Sequence, residues 1–572
     1  MTHSDQNTVH MNPMIGRHES QEDKSHFSIF AKGHTGKRPE FSSSERIYDM
    51  DITRRTAMKV LAGVVPALAL GRRLRGETGL EIHKGPFEGT KESLQQYQIP
   101  EWFRDAKFGI WAHWGPQSSV EQGDWYARNM YIQGSRQYDY HVGHYGHPSK
   151  FGYKDLCPLW KAAEFEPEHL MGLYKQAGAK YFVSMGVHHD NFDLWNSRHT
   201  RWNAVKVGPH KDVVGLWRAA ALKHGLRFGV SEHLWSSYKW FATSHAGDKT
   251  GPLAGVPYDG VNPAYADLYH DASVAKWAYD TPEQFGWNDD GIPDSWKRHW
   301  FLRIQDLVDH YQPDLLYTDG ALPFEQYGYS TAANLYNLSA KLHGGQTQAV
   351  YTSKRPEDCA VGTCVLDYER GLANQIRPVP WQTDTCIGDW HYNREVYEQH
   401  RYKSAETVVD LLVDIVSQNG NLLLNFPLPN SGRLDPDELK VLAGITDWMR
   451  VNSEGIYGTR PWKIFGEGPS TRTGKPGGGF NENKRQPLTV EDVRFTTKRD
   501  TLYAFVMGWP EKEVVVQALG TASPQAPGKI VNVELLGHQG HLTWTQEATG
   551  LRVQLPAEKP SDHAVTFKVT FI

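Results

Sequence analysis

Pro313-Asp-Leu-Leu-Tyr317-Thr318-Asp319-Gly320 is a short apolar run that ends in an acid and a glycine. Seven other segments have the same form: Lys107 to Trp114, Ala179 to Val187, Leu226 to His233, Ala349 to Lys354, Cys364 to Arg370, Trp381 to Ile387 and Asn421 to Pro427. Short, largely apolar runs of this kind predict strands buried on both faces. Longer stretches of helical periodicity separate most of them: Pro167 to Ala177, Asp212 to His224, Ser295 to Tyr311, Ala332 to His343 and Ala405 to Gln418, with Asp435 to Val451 closing the series. Eight strands alternating with helices predict an α/β fold, a (β/α)8 TIM-like barrel, whose chemistry gathers where the strands end.

The ends of these runs are polar. In chain order they read His113-Trp-Gly, His188-His189-Asp190, Glu232-His233, Asp319-Gly320, Lys354, Glu369-Arg370-Gly, then Gln382 and Asp384 beside Trp381, and Asn425-Phe-Pro. An unpaired charge is costly inside a barrel, so polar residues repeated at the strand exits predict one shared pocket. Gly320 permits a sharp exit turn after Asp319. The polar and aromatic insertion from Trp235 to Asp294 is too long for an ordinary connection and is expected to overhang the barrel mouth. After Ser453, Gly and Pro cluster from Gly466 to Gly479, and short alternating runs at Leu502 to Met507, Glu513 to Ala518 and Val565 to Phe571 predict a C-terminal β-sandwich. The expected organisation is a catalytic barrel over residues 90–455 and a sandwich over 460–572. No exposed Trp platform follows Trp544, so the sandwich reads as a packed support.

Length and charge narrow the function. A chain of 572 residues exceeds one hydrophobic core. Its 61 Lys and Arg against 66 Asp and Glu give a net charge of −5, too little positive field to hold a nucleic acid. The four cysteines, Cys157, Cys359, Cys364 and Cys386, form no C-x-x-C pair and read as free thiols rather than a disulfide scaffold. Residues 1–49 show no apolar periodicity and are expected to be disordered. Residues 50–75 contain Arg54-Arg55 ahead of the apolar stretch Val60 to Leu70, which resembles a twin-arginine export signal and is too short to span a bilayer. The expectation is export of a folded chain to the periplasm or beyond, with no membrane anchor in the mature form.

Several chemistries lack their signatures. There is no H-E-x-x-H or H-x-H spacing for a metal hydrolase, no G-x-S-x-G elbow for a nucleophilic serine, and no Lys-Ser/Thr after the Gly474 to Gly479 cluster for a phosphate cradle. His188 and His189 are adjacent, and adjacent strand residues face opposite ways unless the strand has ended. Carboxylate chemistry centred on Asp319 remains. An Asp at a strand-to-helix turn often serves only as a cap, but His113, Trp125, His188 and Arg370 projected onto the same rim are company a cap does not need.

These residues resemble the glycoside hydrolase family 29 α-L-fucosidases. The matching stretches are Trp102-Phe-Arg-Asp-Ala-Lys-Phe-Gly-Ile with His113-Trp-Gly-Pro, Asp124-Trp-Tyr-Ala-Arg-Asn-Met-Tyr131, Ala179-Lys-Tyr with His188-His-Asp, Trp195 with Trp202-Asn, Pro313 to Gly320, and Asn419-Gly-Asn-Leu-Leu-Leu-Asn425. The resemblance covers about Gln95 to Trp462. It implies a retaining exo-α-L-fucosidase acting on fucosylated oligosaccharides without a cofactor, with Asp319 as nucleophile and His113, Trp125, His188, His189 and Arg370 lining the sugar site. One position departs from the pattern. Some members carry a Glu after the Trp of the seventh strand, where this chain has Gln382, and an amide cannot cycle a proton. The acid/base must then be another carboxyl: Glu369 by its place at a strand end, Asp384 by sharing a strand face with Gln382, or Asp124 or Glu232. Gln382 itself is expected at the sugar. A fucose-binding protein without turnover and an α-L-galactosidase are the alternative readings. Linkage preference and oligomeric state leave no signature in the sequence.

Overall fold

A computed structural model describes residues 80–572 apart from 474–476. The expected disordered extension and the twin-arginine segment lie outside the described residues.

Eight parallel strands close into a barrel: β1 Phe108–Ala112, β2 Tyr181–Val187, β3 Arg227–Glu232, β4 Leu315–Thr318, β5 Val350–Ser353, β6 Val365–Glu369, β7 Trp381–Cys386 and β8 Gly420–Asn425. β8 pairs with β1 to complete the ring. The main outer helices are α1 Pro167–Gln176, α2 Val213–Lys223, α3 Asp294–Tyr311, α4 Gln326–Leu342, α5 Ala405–Ser417 and α6 Pro436–Asn452. Their starts carry the caps that the sequence supplies. Asp212 accepts from Gly215 N–H ahead of α2, Ser404 from Thr407 N–H ahead of α5, and Asp435 and Glu438 form a reciprocal capping box at α6. Only the one-turn helix Pro356–Cys359 separates β5 from β6, and no helix separates β6 from β7 among the described residues.

Strand alternation sorts the side chains into those facing the barrel axis and those facing the helices. On β1, Gly109 and Trp111 face inward; a Cβ on Gly109 would lie 2.4 Å from the Tyr181 ring, so only glycine fits there. Trp111 meets Tyr317 of β4 across the barrel, with ring centroids 4.5 Å apart. Phe182 faces outward and packs on Trp217 of α2 at 4.6 Å. The same alternation carries one step past the strands, bringing His113, His233, Asp319 and Lys354 to the mouth above Trp111 and Tyr317.

The C-terminal part has a five-stranded sheet and a three-stranded sheet. With β9 Arg460–Glu467, β10 Val493–Lys498, β11 Thr501–Val506, β12 Glu513–Val516, β13 Ile530–Leu535, β14 Trp544–Gln546, β15 Leu551–Gln554 and β16 Val565–Phe571, the orders are β13-β16-β11-β10-β9 and β12-β15-β14. Both sheets contribute to one apolar cluster. The unit docks on the barrel through Trp448 Nε1–H to Ala564 O at 2.7 Å and a buried Arg494–Asp414 ion pair.

Candidate active site

Asp319 follows β4 directly, and its exit turn explains the glycine beside it. Gly320 has φ +140°, and a Cβ there would lie 2.8 Å from the Trp235 ring. Trp235 Nε1–H in turn donates to the Asp319 carbonyl at 2.5 Å. The Asp319 side chain is 21% exposed. Its Oδ1 lies 2.7 Å from Lys354 Nζ, and its Oδ2 lies 3.1 Å from His233 Nδ1 and 3.4 Å from His189 Nε2. Burial acts to raise the carboxyl, but the Lys354 ammonium and the two imidazoles outweigh it and hold Asp319 well below the usual carboxylate range.

Around this carboxyl stand buried imidazoles from different strand ends. A register shift between Met185 and Val187 accompanies the end of β2, so His188 and His189 both lie beyond the strand and converge, with ring centroids 4.4 Å apart. His113 packs edge-on to His188 at 6.1 Å and to His233 at 5.5 Å. Burial is the main cause that pushes His113, His188 and His233 down, His233 to about 4, so these rings are neutral near pH 7.

Their hydrogen bonds assign their protons. His113 Nδ1 donates to Asn425 Oδ1 at 3.1 Å, which leaves Nε2 as an acceptor. Gln117 Nε2–H donates to His188 Nδ1 at 3.0 Å, and Ala127 N–H on Gln117 Oε1 fixes the amide orientation. The His188 proton is therefore on Nε2. Ring nitrogens of His113, His188 and His233 lie within 4.8 Å of one another, a spacing compatible with a cation. With its Nδ1 lone pair taken by Gln117 and its Nε2 protonated, however, His188 presents a donor suited to a hydroxyl. A second group with the same close spacing is His189, His233 and Asp319, where the imidazoles of His233 and His189 lie 3.1 Å and 3.4 Å from the Asp319 carboxylate.

A second carboxyl faces Asp319. Glu369, at the end of β6, is 20% exposed and lies 2.5 Å from Lys354 Nζ, and Trp390 Nε1–H donates to its other oxygen at 3.2 Å. Lys354 bridges the two groups, so Asp319 Oδ1 and Glu369 Oε2 are at most about 5.2 Å apart, the two Lys354 distances laid end to end. That upper limit is compatible with the about 5 to 5.5 Å of a retaining glycosidase and lies below the roughly 6.5 to 9.5 Å of an inverting one. Burial first, then the Asp319 and Asp384 charges, pushes Glu369 up to about 7 against the pull of Lys354.

The other carboxyls expected as acid/base occupy different places. Asp384 is 1% exposed, accepts from Tyr317 Oη–H at 2.8 Å and lies beneath the mouth. Glu232 alternates with His233 and so faces outward, accepting from Trp300 Nε1–H of α3 and Leu234 N–H at 3.0 Å each. Asp124 holds the loop after β7 by accepting from the backbone N–H of Trp390 at 3.0 Å and of His391 at 2.6 Å.

The expectation for Gln382 is corrected. It shares a strand face with Asp384 but sits a layer lower, fully buried, donating to Asp367 Oδ2 at 2.6 Å and accepting from Tyr181 Oη–H at 2.8 Å. Two residues along a strand is about 6.6 Å along the barrel, so the amide cannot touch a sugar at the mouth. Trp390 touches Glu369, whereas Trp381 faces outward and donates to Gln418 O.

Arg370, at φ +45°, lies over the Trp390 indole at 5.2 Å, with Nη2 2.8 Å from Cys386 Sγ. Trp390 stacks in turn beside His113 at 5.1 Å. Trp125, in the left-handed region at φ +62°, forms the opposite wall with His189 at 6.3 Å and Trp287 of the long insertion at 5.8 Å. Lys354, His233 and Asn425 show in the sequence as polar strand ends, the same signal that marks the expected site residues, but no role at the sugar is assigned to them there; Trp390 and His391 are outside the expected site. These two lie in an aperiodic loop that gives no such signal.

Comparison with known proteins places this geometry in context. A sequence profile described as alpha-L-fucosidase matches residues 77–454, and one described as the alpha-L-fucosidase C-terminal domain matches residues 486–570. The plasma alpha-L-fucosidase of Rattus norvegicus is 30% identical over 512 residues, covering 86% of this chain and 94% of that protein. The tissue alpha-L-fucosidase of the same species is 29% identical over 495 residues, covering 84% and 91%. Among solved structures, an alpha-fucosidase of Thermotoga maritima in complex with a mechanism-based inhibitor superposes with a TM-score of 0.64 at 24% identity, covering 85% of this chain and all of that one.

Proposed function

The chain belongs to the α-L-fucosidase family, and from that premise we propose that Asp319 is the nucleophile and Glu369 the acid/base of a retaining exo-hydrolase that releases terminal α-L-fucose from glycans. The observation that carries the assignment is the Lys354 bridge, which sets two mouth-facing carboxyls, one held ionised and one pushed up to about 7, within about 5.2 Å of each other.

Near neutral pH the ionised Asp319 attacks the anomeric carbon as protonated Glu369 gives its proton to the departing glycan oxygen. The aglycone leaves with the bonding electron pair, and an ester of Asp319 remains. Glu369, now a carboxylate, takes a proton from water, whose oxygen attacks the same carbon and returns the electron pair to Asp319. His188 Nε2–H donates to a ring hydroxyl, His113 Nε2 accepts from another, and the Trp125 indole packs against the C5 methyl group.

Replacing Asp319 with Gly tests the reading. Hydrolysis of an aryl fucoside is expected to vanish, and added azide is expected to restore turnover with a fucosyl azide of inverted configuration as product. Undiminished turnover overturns the assignment. We also propose export by the twin-arginine segment at Arg54-Arg55; a double substitution by Lys is expected to retain the enzyme in the cytoplasmic fraction, and unchanged export contradicts it.

A further inference from the structure

Lys354 follows β5 into the barrel mouth, where carboxyls surround it. Its Nζ lies 2.7 Å from Asp319, 2.5 Å from Glu369 and 3.8 Å from Asp384, and 5.6 Å from the centroid of the Tyr317 ring. The side chain is 18% exposed. An exposed ion pair contributes little, but a charge held this close to two reacting carboxyls in a mostly buried pocket acts through a low effective dielectric.

We propose that Lys354 is a positioning residue whose counter-charge changes place during the reaction: its ammonium contacts both carboxyls in the free enzyme, where Asp319 carries the charge, and is paired with a charged Glu369 while Asp319 is esterified. The inference rests on the roles of Asp319 and Glu369 given above. In the free enzyme Asp319 is the carboxyl held ionised beside Lys354, and its charge helps keep Glu369 protonated. When the ester forms, Asp319 loses its charge to the new C–O bond and Glu369 gains one by giving up its proton. The number of charges around the ammonium is unchanged, but their position has moved from one oxygen contact of Lys354 to the other. Glu369 is thereby favoured as an anion at the step where it must accept a proton from water. When the ester breaks, the charge returns to Asp319 and the proton to Glu369.

The other groups around these carboxyls do not perform this exchange. His233 and His189 approach Asp319 from β3 and β2, on the oxygen away from Lys354. Asp367, from β6 below, is pushed up by burial and by Asp384 and is held by Gln382. Tyr317 Oη–H is committed to Asp384. On the far side of Glu369, Trp390 donates a neutral hydrogen bond, and Arg370 has its Nη2 on Cys386.

The test uses full-length wild type, K354R and K354M, with pre-steady-state kinetics on an aryl fucoside and kcat/KM profiles across pH. Loss of the ammonium raises both carboxyls, so both limbs of the K354M profile are expected to move to higher pH by about one unit or more. Deglycosylation at pH 6 is expected to slow about tenfold or more, because Glu369 remains protonated. The ester then accumulates, a burst of one aryl alcohol per site appears, and azide, a nucleophile that needs no general base, restores turnover. K354R is expected to keep the wild-type profile. A role confined to packing predicts loss of activity with unshifted limbs and no azide response, and that result overturns the proposal. If K354M does not fold, K354Q supplies the same neutral change. Glu369→Ala run in parallel separates the two claims: azide rescue of that variant alone, with unshifted K354M limbs, defeats the Lys354 inference, and full activity of Glu369→Ala defeats the reading beneath it.

Discussion

Replacing Glu369 with Gln removes the proton donor while keeping shape and hydrogen-bonding capacity. In the wild type the donor must be protonated, and Glu369 sits at about 7. Activity is therefore expected to be flat through the mildly acidic range, to halve near pH 7, and to fall about tenfold for each further unit. No acid limb is expected above the usual carboxylate range, because Asp319 is held well below it. In E369Q the alkaline limb should disappear, with kcat/KM on natural glycans reduced by about 10² to 10⁴ and a smaller loss on aryl fucosides whose leaving group needs no proton. Stability provides an independent arm. The Glu369 carboxyl lies near 4.5 in an unfolded chain and near 7 here. Between those values the unfolded chain has released the proton that the folded one still holds. The residue therefore costs nothing below about pH 4, and destabilises progressively up to pH 7, to a total of about 3 kcal/mol. E369Q carries no such cost, so its melting temperature should match wild type at pH 4 and exceed it at pH 8. An alkaline limb that survives in E369Q, or a melting difference that shrinks with rising pH, refutes the assignment of the elevated carboxyl.

Gly320→Ala places a Cβ 2.8 Å from Trp235 at φ +140°, so the turn after Asp319 is strained by about 1 to 3 kcal/mol; the expected result is a lower melting temperature and a larger fall in kcat than in fucose affinity. Gln382→Glu sets a second buried carboxyl 2.6 Å from Asp367 in place of a donor; it is expected to lower thermal stability and gain no activity, and increased turnover would show that position 382 reaches the sugar. Arg303→Met breaks the fully buried pair with Asp193 and the bond to Asn191 that hold the loop after His189 against α3. A loss of about 3 to 5 kcal/mol is expected in denaturant unfolding, and a change below about 1 kcal/mol would mean the pair is dispensable.

The barrel was legible because its period is simple. Each strand is an apolar run closed by a polar residue, and that rule identified all eight strands and the place of Asp319. Boundaries shifted by a residue or two, as at β1, where the predicted run to Trp114 ends at Ala112. Depth was not legible. Gln382, Asp384 and Glu232 all lie on strands among polar neighbours, and a linear pattern gives a face without giving a layer; only the register of β6 against β7 and the Tyr181 and Asp367 bonds place Gln382 below the site. Lys354 was visible as a strand-end residue, but a lone lysine carries no meaning until two carboxyls from other strands arrive beside it. Trp390 and His391 are positioned by Asp124, about 266 residues earlier in the chain, a contact that no local pattern encodes.

A fucoside carrying fluorine at C2 and a reactive leaving group forms the ester but hydrolyses slowly, so mass spectrometry of peptides from the inactivated enzyme can locate the sugar. The expected result is one 2-fluorofucosyl group per chain, on the peptide containing Asp319, with none formed on Asp319→Gly. A label on Glu369, Asp384 or any other carboxyl, or inactivation that leaves no covalent sugar, contradicts the assignment of Asp319 as the attacking group.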